Sequence, residues 1–288
     1  MNITIIGGDK RNIELAYLFI KGGHNVKLLG FEQGVLSGFN SDESISDILQ
    51  NSDLVVGPIP LNLDGIHINT PLYKGDIRVD KVFDSMKKNQ VFIAGKIDKN
   101  SYDLAQQYNI RVIDLMDRED MAALNCIPTA EGAIQIAMEK MGTTIFGSNI
   151  LVLGFGKVGK VLSKSLKALG GKVFVAARGS SAHSWIKVYG YEPIDIKYLV
   201  DYLEDKDLIY NTIPVKILDE GILKKVNKGT MIIDVASSPG GVDFQKAEEL
   251  GLKVTWALGI PGKVAPLSAA RILRDTIYNI VEDLEVEK

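Results

Sequence analysis

Apolar residues in this chain fall in short runs separated by stretches with helical spacing. Residues 3–6 run into Gly7-Gly8-Asp9, and Leu15, Ala16, Leu18 and Phe19 then recur at short helical intervals until Gly22-Gly23. Further short runs occupy 26–29, 54–56, 91–94 and 112–115. Brief apolar runs bounded by turn residues and alternating with helical patterns predict buried parallel strands in an α/β, doubly wound sheet. The pattern restarts after Gly147, with strands expected at 150–153, 173–176, 208–211, 231–235 and 254–257. A helix over 157–169 is closed by Gly170-Gly171, where glycine supplies the left-handed terminating residue.

Two further amphipathic helices are expected. One follows Pro128 and carries Ala133, Ile134, Ala137 and Met141 on one face. The other is C-terminal, with Ala269, Leu273, Ile277, Ile280 and Leu284 near three- and four-residue spacing. The first reads as a link between domains and the last as packing back at the domain junction; ordinary covering helices of the second domain are the alternative. The expected division is 1–125 as a substrate-side flavodoxin- or Rossmann-like domain and 126–146 as an interdomain helix. A dinucleotide-binding domain over 147–267 and a C-terminal helix over 268–288 complete it.

The length, 288 residues, agrees with two domains at roughly 150 residues each. With 33 basic and 36 acidic residues the net charge is −3, and no block of like charge favours nucleic acid. A hydrophobic fraction of 46% and a charged fraction of 24% exclude disorder and collagen-like structure. The single cysteine, Cys126, excludes an internal disulfide and fits a reducing compartment. The N-terminus has no basic region before its apolar run, so it reads as a strand and not as a signal peptide. No run of about 18 apolar residues predicts a membrane span.

The sharpest chemical signal is Gly154-Phe155-Gly156-Lys157-Val158-Gly159 between an expected strand and an expected helix. The first glycine permits a tight turn, the second lets a pyrophosphate approach the backbone, and the third lets helix and strand pack closely. The N–H groups at the helix start then favour an anion. A purely structural turn is the competing interpretation. An NAD enzyme usually carries an acid at the end of the second strand of such a unit. Here the sequence is Ala177-Arg178-Gly179-Ser180-Ser181. Arg178 would pair with a 2′-phosphate, helped by Ser180 or Ser181, so NADP is expected over NAD. The competing role for Arg178 is a solvated charge. Asn211-Thr212-Ile213-Pro214 and Ala236-Ser237 follow later strands, where ligands of such sheets bind, and are expected to flank the nicotinamide. Turn chemistry alone would also place Asn, Ser and Pro there.

Gly7-Gly8-Asp9-x-Arg11, Asn125-x-Ile127-Pro128-Thr129-Ala130-Glu131-Gly132, the glycine turn, Ser237-Ser238-Pro239-Gly240-Gly241-Val242-Asp243-Phe244 and Gly259-Ile260-Pro261-Gly262-Lys263-Val264-Ala265-Pro266 together resemble the dipicolinate synthase A-subunit family. The likeness spans nearly the whole chain. The second half more broadly is similar to the cofactor domains of D-2-hydroxyacid dehydrogenases and S-adenosylhomocysteine hydrolases. The resemblance implies oxidation of a dihydrodipicolinate-level intermediate to pyridine-2,6-dicarboxylate during sporulation, in the mother-cell cytoplasm. It also implies a separate partner, the dipicolinate synthase B-subunit. Another NAD(P)-dependent oxidoreductase of a small carboxylate, or a non-catalytic dinucleotide-binding protein supporting the B-subunit, are the alternatives. A homo-oligomer is also compatible with the sequence.

A substrate with two carboxylates needs cations, and Arg11, Arg118 and Lys263 are the candidates. Arg11 and Lys263 come from opposite domains and are expected to clamp the substrate. Lys263 is the catalytic candidate, with Glu131 and Asp243 as other possible proton carriers. The first glycine turn lacks the three-glycine spacing, and Asp9 would repel a pyrophosphate, so it reads as a substrate-facing loop. The histidines are His24, His67 and His183. None lies in 256–268, where a D-2-hydroxyacid dehydrogenase would carry its base. No His/Cys cluster points to a metal.

Overall fold

A computed structural model describes residues 1–32 and 44–286. The chain divides into two units, Met1–Leu124 with the chain from Ala265 onward, and Asn125–Val264. In the first unit the elements are β1 (Asn2–Ile6), α1 (Lys10–Lys21), β2 (Asn25–Leu29), α2 (Ile45–Gln50), β3 (Leu54–Val56), α3 (Val79–Ser85), β4 (Val91–Ala94), α4 (Lys99–Gln107), β5 (Arg111–Asp114) and α5 (Glu119–Leu124). The second unit holds α6 (Cys126–Lys140), β6 (Asn149–Leu153), α7 (Lys157–Ala168), β7 (Lys172–Ala177), α8 (Ser180–Val188), β8 (Glu192–Asp195), β9 (Leu208–Asn211), α9 (Glu220–Leu223), β10 (Met231–Asp234), α10 (Phe244–Glu249), β11 (Lys253–Trp256) and α11 (Ile260–Val264). The final helix, α12 (Pro266–Val286), belongs to the first unit.

Both sheets are parallel, and their central strands, apolar in their interiors, are buried on two faces. In the first, side-chain alternation sends Ile3, Ile5, Leu54, Val56 and Ile93 to one core, against Leu15, Ala16 and Phe19 of α1 and Ala270, Leu273, Ile277 and Ile280 of α12. Ile6, Val55, Phe92 and Ala94 face the other core, with Val79, Val82 and Phe83 of α3 and Ala105 of α4. The strand order is β2-β1-β3-β4-β5, the flavodoxin-like order. In the second unit Ile150, Val152, Tyr210 and Ile233 join α6 and α7, while Leu151, Leu153, Ile209 and Ile232 meet the opposite layer. Its order, β11-β10-β9-β6-β7-β8, is the Rossmann order, with the reversal between β6 and β9.

The expected strands are present with ends shifted by about a residue. The sequence pattern missed β8, which carries Pro193, has no apolar alternation, and pairs only with β7 at the sheet edge. Proline removes a ladder donor and is tolerated at an edge. The C-terminal helix covers the first sheet beside α1 rather than the second sheet. The ring of Tyr278 of α12 lies tilted 5.8 Å from that of Phe19, and its hydroxyl lies 3.0 Å from His24 Nε2. No helix among the described residues is long and apolar enough to cross a membrane.

Ile277 has no solvent exposure. Ile277→Ala is expected to lower stability in chemical denaturation by about 2–5 kcal/mol, through lost transfer energy and the residual cavity. Val188, which is 73% exposed, should tolerate Ala within about 0.5 kcal/mol.

Candidate functional site

The second sheet's carboxyl edge is built around the glycine turn between β6 and α7. Gly154 has φ +99, and a Cβ there would lie 2.4 Å from Thr212 Oγ1. A Cβ on Gly159 would lie 2.2 Å from the Gly154 carbonyl oxygen, so only glycine lets α7 start this close to its strand. Gly156 differs: it is exposed, and a Cβ there would meet no protein atom within 4 Å. Gly154 N donates to Ala176 O at 2.9 Å, and Thr212 Oγ1 donates to Leu153 O at 2.8 Å, which pins the turn to both neighbouring strands. Lys160 N donates the first helical bond, to Gly156 O at 3.0 Å. The backbone donors of Val158 and Gly159 precede that bond, at the positive end of a helix of 12 residues. Gly156 caps α7 without a side-chain hydrogen bond. An open cradle over exposed backbone and an uncapped helix start fit a pyrophosphate.

Phe155 does something the motif did not foretell. Its ring lies 6.0 Å from Tyr189 and 6.3 Å from Tyr191, edge-on to both, and Lys160 Nζ sits 5.6 Å above it. Trp185 extends this group, 6.1 Å from Tyr189. The side chain therefore roots the turn in the aromatic residues around the end of α8. Lys157 is exposed on the first turn of α7, and Val158 is half-buried.

Arg178 is exposed at the carboxyl end of β7 and has no ion-pair partner among the described residues. Gly179, with φ 85, turns the chain into α8, whose cap has no side-chain hydrogen bond. Ser180 and Ser181 are exposed on its first turn. His183 N donates to Gly179 O at 3.2 Å, so the Ser181 and Ala182 donors come before the first helical bond. His183 Nε2 donates to Ala177 O at 2.9 Å, which holds that imidazole against the end of β7.

Across the switch point, Asn211 and Asp234 end the adjacent strands β9 and β10 and are fully buried side by side. Asn211 Nδ2 donates to Asp234 Oδ1 and to Ile213 O, both at 2.9 Å. The side chain of Asn211 is thus engaged within the protein. Thr212 and Ile213 are half-buried, Pro214 and Ser237 are exposed, and Ala236 is buried. Trp256 Nε1 donates to Ala236 O at 3.1 Å, and its ring stacks 5.0 Å from Phe244.

The three candidate substrate cations are in different states. Arg11 is buried; its Nε and Nη2 each donate to Asp9 at 2.9 Å, and Nη2 also donates to Ile59 O at 2.9 Å. Asp9 in turn caps α1 by accepting from Arg11 N. Arg118 is paired with Asp120 at 3.3 Å and with Asp283 of α12 at 2.8 Å, and its hydrogen bonds hold the Asp120 carboxyl below its ordinary range. Lys263 is exposed on α11 and has no hydrogen-bond or ion-pair partner among the described residues. Of the other proton carriers, Asp243 caps α10 and pairs with Lys216 at 3.0 Å, whereas Glu131 is exposed on α6. Cys126 is buried in α6. Among the described residues no group of metal-ligating side chains is gathered.

Known proteins share both halves of this geometry. Residues 2–116 match the N-terminal domain of the dipicolinate synthase A-subunit, and 127–241 match the NAD-binding domain of D-isomer specific 2-hydroxyacid dehydrogenases. Over its full length the chain is 31% identical to the dipicolinate synthase A-subunit of Bacillus subtilis (strain 168), covering 98% of that protein. The chain belongs to the dipicolinate synthase A-subunit family. The crystal structure of the Bacillus halodurans A-subunit superposes with TM-score 0.88 at 33% identity, over 97% of each chain. A transhydrogenase from Sinorhizobium meliloti superposes with TM-score 0.70 at 13% identity, over 98% of this chain and 94% of that one, a likeness of fold alone. The family's second domain is thus an NAD(P)-binding dehydrogenase domain, which points to an oxidoreductase role.

Two glycines separate ligand binding from folding. Gly159→Ala is expected to lower both stability, by about 1–3 kcal/mol, and nucleotide affinity. Gly156→Ala should cost only the difference between glycine and alanine at a helix cap, about 1 kcal/mol or less, while weakening nucleotide binding on the order of tenfold, measured by calorimetry, because its methyl group meets no protein atom and would stand where a pyrophosphate is expected.

Proposed function

We propose that this chain is the dehydrogenase component of a dipicolinate synthase, oxidising a dihydrodipicolinate-level intermediate to pyridine-2,6-dicarboxylate with NADP⁺ and acting with a separate B-subunit. The observation that carries this reading is the open glycine cradle on a Rossmann sheet, in a chain similar along its whole length to the A-subunit of Bacillus subtilis. Converting a dihydropyridine to a pyridine removes one hydride and one proton. The bound nicotinamide supplies the hydride acceptor.

The protein's own part is binding and orientation. The Val158 and Gly159 backbone donors receive the pyrophosphate at the start of α7. Arg178 and the Ser180 and Ser181 hydroxyls receive the 2′-phosphate; an exposed guanidinium with no carboxylate partner is free to pair with it. The loops at Asn211–Pro214 and Ala236–Ser237 flank the nicotinamide end. Lys263, exposed and without an internal partner among the described residues, holds a substrate carboxylate as the ammonium and so fixes the ring for hydride loss; an ammonium paired in this way cannot accept the released proton, which passes to water. Arg11 and Arg118, although cationic, are already paired with carboxylates, and a role in substrate binding requires them to share or exchange those partners.

The test is an assay of the purified chain with its companion protein, freshly generated dihydrodipicolinate and either nucleotide, read as ultraviolet absorbance of the pyridine product. Product that depends on both this chain and NADP⁺ is the expected result; product formed at the same rate without this chain would end the catalytic reading. Arg178→Asp should reduce kcat/KM with NADP⁺ by roughly 10- to 100-fold and spare NAD⁺, the loss of a charge-assisted pair plus a new repulsion. Lys263→Gln should raise the substrate KM and lower kcat while the nucleotide Kd stays unchanged in calorimetry.

A further inference from the structure

The carboxylate of Asp234 has no solvent exposure, yet it sits at the edge where the nucleotide is proposed to bind. Its Oδ1 accepts from Asn211 Nδ2 and from Ala236 N, both at 2.9 Å, and its Oδ2 accepts from Gly241 N at 2.7 Å. Asn211 is equally buried; its Nδ2 also donates to Ile213 O at 2.9 Å, and its Oδ1 accepts from Ile213 N at 3.2 Å. The Gly241 carbonyl accepts from Ile217 N and Leu218 N at 3.0 and 2.9 Å. A Cβ on Gly241 would lie 2.2 Å from Asn211 Nδ2. The two side chains therefore tie together the chain leaving β9 and the chain leaving β10. A buried carboxylate is costly unless donors surround it, and here three donors do. An asparagine at 234 has one acceptor oxygen and would turn N–H groups toward a backbone N–H.

We infer that Asp234, through Asn211 and Gly241, is a positioning residue that sets the wall facing the nicotinamide half of the dinucleotide. The inference rests on the dinucleotide reading given above. The adenosine half depends on a different part of the edge, the glycine turn and the β7–α8 corner, and the hydrogen bonds of Asp234 and Asn211 reach neither. Disturbing this knot should therefore weaken the whole dinucleotide and spare the adenosine fragment.

Calorimetry with Asp234→Asn compares NADP⁺ with 2′,5′-ADP, or NAD⁺ with ADP if the wild type prefers those. The expected result is a rise of roughly tenfold or more in the dinucleotide Kd, with the fragment Kd within about twofold of wild type. Equal loss for both ligands would reduce Asp234 to a structural role, and no loss for either would remove it from the site; each outcome overturns the inference. Should Asp234→Asn not fold, Asn211→Ser leaves Asp234 its two backbone donors, and the same unequal loss is expected of it. Wild-type protein that binds neither dinucleotide nor fragment would overturn the nucleotide reading itself, and that result is read before any variant is made.

Discussion

The second unit depends on the close approach of α7 to β6, where the backbone at Gly159 lies against the Gly154 carbonyl with no room for a methyl group. Because the helix starts that near its strand, its first donors come out at the carboxyl edge of the sheet instead of over a face. The same contact sets where α7 can pack. Ser163, Leu162 and Leu166 are buried along it, and α6 lies against it, tied from beneath by the Tyr210 hydroxyl donating to Ala133 O at 3.1 Å. Burial pushes the Tyr210 phenol well above its ordinary range, so it remains a neutral donor. The N-terminal end of the helix is thus held by apolar packing on one side and by backbone contact on the other.

The chain holds two doubly wound sheets, and their first turns differ in what they leave room for. Both have a reversal of strand order, between β1 and β3 in the first unit and between β6 and β9 in the second. In the second unit Gly154 and Gly159 let the turn pack closely, and Gly156 leaves it open. In the first, the residues after β1 form a bidentate pair between Arg11 and Asp9, and the same guanidinium reaches Ile59 O beyond β3. The crevice that topology creates is filled there by the protein's own cation and carboxylate. A pyrophosphate would have to displace Asp9 from both the guanidinium and the helix start that it caps. Topology supplies the location, and the turn residues decide whether it is available.

Most of the strand framework was legible because each strand is a short apolar run and turn residues bracket it. The edge strand β8 was not, since an edge needs neither alternation nor a full set of ladder donors. The C-terminal helix was legible as a helix, but its partner was not: Leu273 and Ile277 signal an apolar face without saying which sheet it covers. The glycine turn could be read residue by residue, yet Phe155 could not, because its contacts with Tyr189 and Tyr191 depend on how α8 ends. Asn211 is expected from the sequence to flank the nicotinamide and Asp234 falls within an expected strand, but nothing in the sequence marks the two side chains as a buried pair. Their burial follows from facing positions on neighbouring strands, a register that appears only once β9 and β10 are paired.

The cations show the same limit in sharper form. Arg11, Arg118 and Lys263 are equivalent as sequence, each a single charge near an expected strand end. What separates them is the partner: Ile59 O for Arg11 and Asp283 for Arg118 lie far along the chain, while Lys263 and Arg178 have no partner among the described residues. An internally paired guanidinium loses a carboxylate when it gains an anionic ligand, so much of the Coulomb gain cancels. An exposed, unshared cation loses only water. Under the proposed function, the charge of an anionic nucleotide and an anionic substrate would be matched most readily by Arg178 and Lys263, both carried by the unit that holds the glycine cradle. On the proposed reading the second unit would bind the dinucleotide and take part of the substrate's charge, while Arg11 and Arg118 form ion pairs inside the first unit.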